Sequence, residues 1–150
     1  MNADIEFASA DDLTAMADLL GELFTLEADF QPDREKQLAG LKLILDNPDL
    51  GRLFVLRKDG EIVAMANALI AVSTAEGGCV LLLEDVIVKA ECRGAGFGRQ
   101  LVEHVLKWGN AQGMRRVTLL ADEDNASALG FYQRMGFRFS TMRVLRLKLD

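Results

Sequence analysis

The chain has 150 residues, half of them hydrophobic, with 23 acidic and 17 basic side chains for a net charge of −6. That length buries one substantial core without disulfides or metals, and the acidic balance argues against a general nucleic-acid binder, which needs a basic surface for phosphates. No apolar run is long enough to span a bilayer, since AMANALIAV is closed by Ser73 and Glu76, and MNADIEF lacks the basic-then-apolar order of a secretory leader.

The expectation is one soluble, cytoplasmic domain over residues 1–150, with no membrane and no nucleic-acid partner. In chain order, DIEFA alternates like a short strand, and Ser9 followed by Asp12 resembles a capping box. Leu13, Met16, Ala17, Leu20, Leu23 and Phe24 then recur at helical spacing until FQPD breaks the run. REKQLAGLKLILDN is a second helix, with Leu38, Leu41 and Leu45 on one side and Pro48 as its stop. RLFVLRKDGEIVAMANALIAV is two strands joined at Asp59-Gly60, a two-residue hairpin signal. CVLLLEDVIV is almost continuously apolar, as in a strand buried on both faces, and Glu84 and Asp85 interrupt it. FGRQLVEHVLKWGNAQG sets Phe97, Leu101, Val105 and Trp108 on one helical face. RRVTLLA is a further buried strand, NASALGFYQRMG a short helix, and FRFS with MRVLRLKL a closing pair of strands. The order β-α-α-β-β-β-α-β-α-β-β fits an α/β layered domain with a mixed sheet flanked by helices.

Cys79 and Cys92 are too few for a disulfide scaffold and lack C-x-x-C spacing, so two packed or half-packed thiols are expected. His104 is the single histidine, which excludes a multi-histidine metal site; its spacing puts it at the edge of the core. Charge is polarised along the chain. Residues 1–50 hold 12 acids and 3 bases, residues 51–150 hold 11 acids and 14 bases. Such a chain suits an anion on its second half and a cation on its first, although solvated helix faces give the same counts.

The stretch CRGAGFGRQL joins the apolar strand to the amphipathic helix. A P-loop would need Gly-Lys-Ser/Thr at its end, and the dinucleotide fingerprint G-x-G-x-x-G fails at Arg99 or Leu101, depending on the starting glycine. What remains is Arg93-x-x-Gly96-x-Gly98 before a helix, where several backbone N–H groups and about half a positive charge from the helix dipole converge on one anion.

VIVKAECRGAGFGRQL resembles the acyl-CoA-binding signature of the GNAT superfamily of N-acetyltransferases. NASALGFYQRMGF, with Asn125, Phe131-Tyr132 and Gly136-Phe137, resembles that family's later cofactor motif, and the element order matches over residues 4–149. The resemblance implies that acetyl-CoA is the cofactor. It also implies that backbone N–H groups of Arg93, Gly94, Ala95, Gly96, Phe97, Gly98 and Arg99 hold the pyrophosphate. Val86, Ile87 and Val88 would line the pantetheine arm as a partial extra strand, with the N–H near Val86 on the thioester carbonyl. Asn125 would touch the cofactor, or cap its helix as Asn does in any protein.

An alkyl amine with a pKa near ~10 is almost fully protonated at neutral pH, so the reaction needs a proton acceptor. Glu84 is the first candidate, because burial in an apolar strand raises a carboxyl toward neutrality; Asp85 and a water-linked base are alternatives. A purely structural anchor for either acid is also open. Tyr132, the only tyrosine, is expected to protonate the departing thiolate, against an ordinary core role. The resemblance puts the acceptor beside LFTLEADFQPD, with Phe24, Glu27, Asp29 and Phe30, where acids suit a protonated polyamine, amino sugar, aminoglycoside or peptide amine. The expected activity is direct acetyl transfer to such a primary amine in a ternary complex. The alternative is a catalytically weak acyl-CoA sensor or partner subunit. Many relatives pair their final strands with a second copy, so a homodimer stays open.

Overall fold

The structure is a computed structural model that describes residues 3–27 and 30–149. Two compact units divide it, Met1–Leu120 and Ala121–Asp150.

The first unit is a five-stranded sheet in sequential order, β1 (Ala3–Phe7), β2 (Gly51–Lys58), β3 (Glu61–Ser73), β4 (Gly78–Val88) and β5 (Val117–Leu119). The first three pairings are antiparallel and β4–β5 is parallel, as expected of a mixed, mostly antiparallel α/β sheet. The β2–β3 hairpin turns at Asp59 (φ 52°) and Gly60 (φ 84°). Two successive positive φ values are what a type I′ turn requires, and Asp-Gly supplies them at low cost.

Side chains alternate across the sheet. One face, with Leu53, Val55, Met65 and Ile87, packs on Met16, Ala17, Leu19 and Leu20 of α1 (Leu13–Leu26) and on Leu41 of α2 (Arg34–Asp46). Phe54 faces the other way, edge-on to Trp108 and His104 of α3 (Phe97–Ala111), whose buried stripe is Phe97, Leu101, Val102, Val105 and Gly109. His104 is exposed apart from that ring contact, a position further out than the core edge its spacing indicated. Cys79 is exposed and Cys92 half-buried, and both are free thiols.

The helices are fixed at their ends by side chains. Ser9 N–H donates to Asp12 Oδ2 at 2.8 Å, in a 3-10 turn that leads into α1. Asp33 caps α2 by accepting from Lys36 N–H, while Gln37 Oε1 accepts from Asp33 N–H at 2.7 Å. The same amide donates through Nε2 to Ala17 O at 2.9 Å, tying α2 to α1 from inside the packing. Arg57 on β2 reaches Asp12 Oδ2 at 2.6 Å and Glu6 Oε1 at 2.5 Å. Burial alone would raise the Asp12 carboxyl, but the Arg57 guanidinium and Ser9 N–H outweigh it and hold that carboxyl below its usual range.

In the second unit, α4 (Ala126–Arg134) is followed by a Gly136 turn in which Phe137 N–H returns to Tyr132 O at 3.1 Å. Within its own unit, neither FRFS nor MRVLRLKL, the expected closing strands, forms a strand. Among the described residues no strand follows α4, and Phe139, Met142, Leu145, Leu147 and Leu149 are exposed. Alternation of apolar and basic residues states a preference for extended backbone; a strand also needs an edge to pair with, and that lies outside local sequence.

Candidate active site

β4 carries the centre of the site. Its partners on β5 are confined to Leu81, Leu82 and Leu83, which face Val117, Thr118 and Leu119. Beyond Leu83 the parallel partner ends, and among the described residues the stretch from Glu84 to Val88 has β3 as a strand partner on one side and none on the other, an open edge within the first unit. Lys89 N–H donates to Val63 O at 2.7 Å. By strand alternation, the backbone polar groups of Val88 and Val86 therefore turn toward the open edge, while those of Ile87 turn to β3. The Val88 carbonyl is taken by Arg93 Nε at 2.9 Å.

A bulge interrupts this strand. Glu84 lies opposite Asn67 and Ile87 opposite Met65, so two residues of β4, Asp85 and Val86, span one of β3. Asp85 absorbs the distortion at φ 55°, left-handed backbone that Asp tolerates better than most residues but that still costs about 1 kcal/mol or more. The bend brings its carboxyl to Asn67, whose Nδ2 donates to Asp85 Oδ2 at 2.5 Å. Burial, with the Glu84 charge beside it, pushes the Asp85 carboxyl up to about 6, and the Asn67 bond opposes that rise. The carboxyl carried toward neutrality is thus that of Asp85, the alternative base; Glu84 is half-buried on the same strand.

After a 3-10 turn at Ala90–Cys92, the glycine loop delivers the chain to α3. Gly94 (φ 84°) and Gly96 (φ 87°) are both left-handed, and a Cβ on either would meet no chain atom within 4 Å. The glycines there serve the backbone turn and leave space on the outside. Gly96 is the N-cap of α3 and no side chain caps it. Intrahelical bonding begins at Gln100, which donates to Gly96 O, so the N–H groups of Phe97, Gly98 and Arg99 have no helical partner. Phe97 itself is 2 % exposed, its ring locked in the core, and what it offers an anion is its amide. Arg99 pairs with Glu103 at 2.7 Å on the surface, and Arg93 is exposed. Uncapped N–H groups, glycines with open space outside them and an open strand edge fit a pyrophosphate continued by an extended amide-bearing arm, which is the chemistry of coenzyme A.

Of the expected acceptor residues, Phe24 and Phe30 meet with ring centroids 5.5 Å apart, and half-buried Glu27 ends α1 by donating its N–H to Leu23 O. Asp29 lies outside the described residues. Asn125 and Tyr132 belong to the second unit. Asn125 Oδ1 accepts from Ala128 N–H at 3.1 Å and so caps α4. The half-buried Tyr132 ring stands edge-on to Phe131 and Phe137, at 5.0 and 5.8 Å. Sequence reasoning missed Asn67, although a lone amide inside AMANALIAV was the available signal. No group of three or more His, Cys, Asp and Glu side chains suited to a metal occurs among the described residues.

Comparison with known proteins places the chain in a family. Over 99 residues the chain is 33% identical to glucosamine 6-phosphate N-acetyltransferase of Trypanosoma brucei brucei, covering 65% of each chain. It is 35% identical over 81 residues to streptothricin acetyltransferase of Streptomyces lavendulae, covering 54% of this chain and 41% of that one. The chain therefore spans just under two thirds of the first relative's length and less than half of the second's. Among solved structures it superposes on AAC(6')-Iy, bound to the bisubstrate analogue CoA-S-monomethyl-acetylneamine, with a TM-score of 0.80 and 25% identity, covering 100% of this chain and 99% of that one. The sequence profile of the Acetyltransferase (GNAT) family matches residues 13–137, and the chain belongs to that family.

Proposed function

We propose that this protein transfers the acetyl group of acetyl-CoA directly to a primary amine of a small polar molecule, of the amino-sugar or aminoglycoside kind. The observation that carries the reading is Asp85, a strained carboxyl near neutrality on a strand whose open edge runs on into an uncapped helix N-terminus. The relatives support the acceptor class: the trypanosomal protein is named for an amino-sugar phosphate and AAC(6')-Iy was solved with a neamine analogue.

Acetyl-CoA supplies the activated thioester; the chain's residues supply position and proton transfer. The N–H groups at the start of α3 and the glycine loop would hold the pyrophosphate, and the Val86 N–H would be a donor available to the thioester carbonyl oxygen. Asp85 accepts one proton from the ammonium, R–NH3+ becoming R–NH2 as the carboxylate becomes a carboxylic acid. With its pKa near 6 the carboxyl is mostly ionised at pH 7.5, so it is ready to accept. The rise from an ordinary carboxylate makes that uphill transfer less unfavourable by roughly 3 kcal/mol. The amine lone pair would then attack the thioester carbonyl carbon and the carbon–sulfur bond would break. Tyr132 is the proposed donor of a proton to the departing sulfur, and the second proton of the nitrogen would return to the phenolate through solvent, leaving the N-acetyl amine, the free thiol and one proton on Asp85. Phe24, Glu27, Asp29 and Phe30 are proposed to receive the acceptor.

The test is thiol release from acetyl-CoA with neamine, glucosamine 6-phosphate, spermidine and a lysine peptide. Amine-dependent release with an amino sugar or neamine, lost in Asp85→Asn, supports the reading. Release at the buffer rate with every amine overturns it.

A further inference from the structure

Asn67 is 2 % exposed in the middle of β3, with alanines on both sides. Its Nδ2 is bonded to Asp85, yet its Oδ1 is buried with no hydrogen-bond partner, the one such side-chain atom among the described residues. An orphaned buried acceptor costs about 1–3 kcal/mol, and a bulky apolar residue would fill this place without that cost. An amide is different in carrying a donor and an acceptor on one planar head. A carboxylate needs a donor facing it, whereas a carboxylic acid needs an acceptor for its own O–H.

We propose that Asn67 is the positioning residue for Asp85, holding it in both charge states: Nδ2 donates to the carboxylate, and Oδ1 accepts the O–H once the proton has been taken. Rotation of the amide about its terminal torsion exchanges the two without moving β3. This rests on the reading that Asp85 is the proton acceptor, and it accounts for the orphaned oxygen as the partner of the other protonation state. The surroundings leave the amide as the neutral partner. The charged group acting on Asp85 is Glu84 on its own strand. The sheet-facing residues of α1 are Met16, Ala17, Leu19 and Leu20, those of α3 are Phe97, Leu101, Val102 and Val105, and β5 presents Val117, Thr118 and Leu119, all uncharged.

The experiment is a pH titration of the ligand-free protein by NMR, following the Asp85 carboxyl carbon and the Asn67 side-chain amide. In the wild type both resonances are expected to move with one midpoint; an Asn67 amide indifferent to that midpoint overturns the proposal. Asn67→Leu removes both contacts, and because the charge-assisted bond to the carboxylate is the stronger of the two, the Asp85 midpoint is expected to rise. The acid limb of kcat/KM is expected to rise with it, at unchanged KM for acetyl-CoA. An unchanged Asp85 midpoint in folded Asn67→Leu also overturns it, and if that variant does not fold the wild-type titration decides alone. Because the NMR readout uses neither acetyl-CoA nor an amine, linked titration in a protein that acetylates nothing would refute the proposed function and leave the pairing standing. Acetylation with unlinked titration would do the reverse.

Discussion

Replacing Asp85 by Asn is expected to stabilise the protein at neutral pH while removing its activity. The wild-type carboxyl binds its proton more tightly in the folded chain, near pH 6, than an ordinary aspartate at 3.8. Between those values the folded state holds a proton that the unfolded state has lost, so stability falls as pH rises through this window and stays lowered above it. A shift of about two units is worth roughly 3 kcal/mol. The amide conserves part of the contact with Asn67 and tolerates the left-handed backbone at position 85, so about 2 kcal/mol should appear as gain. For a chain of this size that raises Tm by about 4–8 °C. The assay is thermal unfolding of both proteins from pH 4 to pH 8. The difference should be largest above pH 6.5 and shrink to zero or a small deficit near pH 4, where the linkage gain is gone and only the weakened contact with Asn67 remains, with Asp12 and other acids cancelling because both proteins share them. A variant less stable than wild type at pH 8, or a difference constant across the range, would refute the reasoning.

Three further outcomes are expected. Gly96→Glu places a carboxylate and a Cβ at a φ of 87° beside the uncapped amides, and should cost about 1–2 kcal/mol of stability while abolishing acetyl-CoA binding by calorimetry; unaltered affinity would remove the loop from the cofactor site. Arg57→Ala leaves the Asp12 carboxylate, 5 % exposed, without its cation, and should cost about 2–4 kcal/mol at pH 7. Because Asp12 is held low, its contribution exists above pH ~3.8 and is lost as pH falls further, so the two proteins should converge in stability in acid urea titrations. Tyr132→Phe should depress turnover with acetyl-CoA affinity nearly intact; full activity would remove Tyr132 from the chemistry.

Local chemistry carried much of this architecture. Asp59-Gly60 declares a hairpin because few other pairs accept two positive φ values, and the glycines at 94 and 96 announce a backbone that turns through left-handed conformations just before α3. The α3 stripe is legible from periodicity alone. Pairing is not. Sequence left Glu84, Asp85 and a water-linked base open, and the bulge at Asp85 arises from the register of β4 against β3, which no single strand encodes. Gln37 reads as a polar residue on an amphipathic helix, yet it bonds α1 because two helices meet there. The segment MRVLRLKL has the alternation of a strand, but the edge on which such a strand would pair is not encoded in the segment itself.

The open edge of β4 and the start of α3 are proposed to seat acetyl-CoA. Thermal unfolding with and without acetyl-CoA tests it most directly. Ligand at a hundred times its dissociation constant stabilises the folded chain by about 2.7 kcal/mol, a Tm rise of roughly 5–10 °C at this length, with a smaller rise from adenosine alone. No shift at millimolar acetyl-CoA would contradict the account.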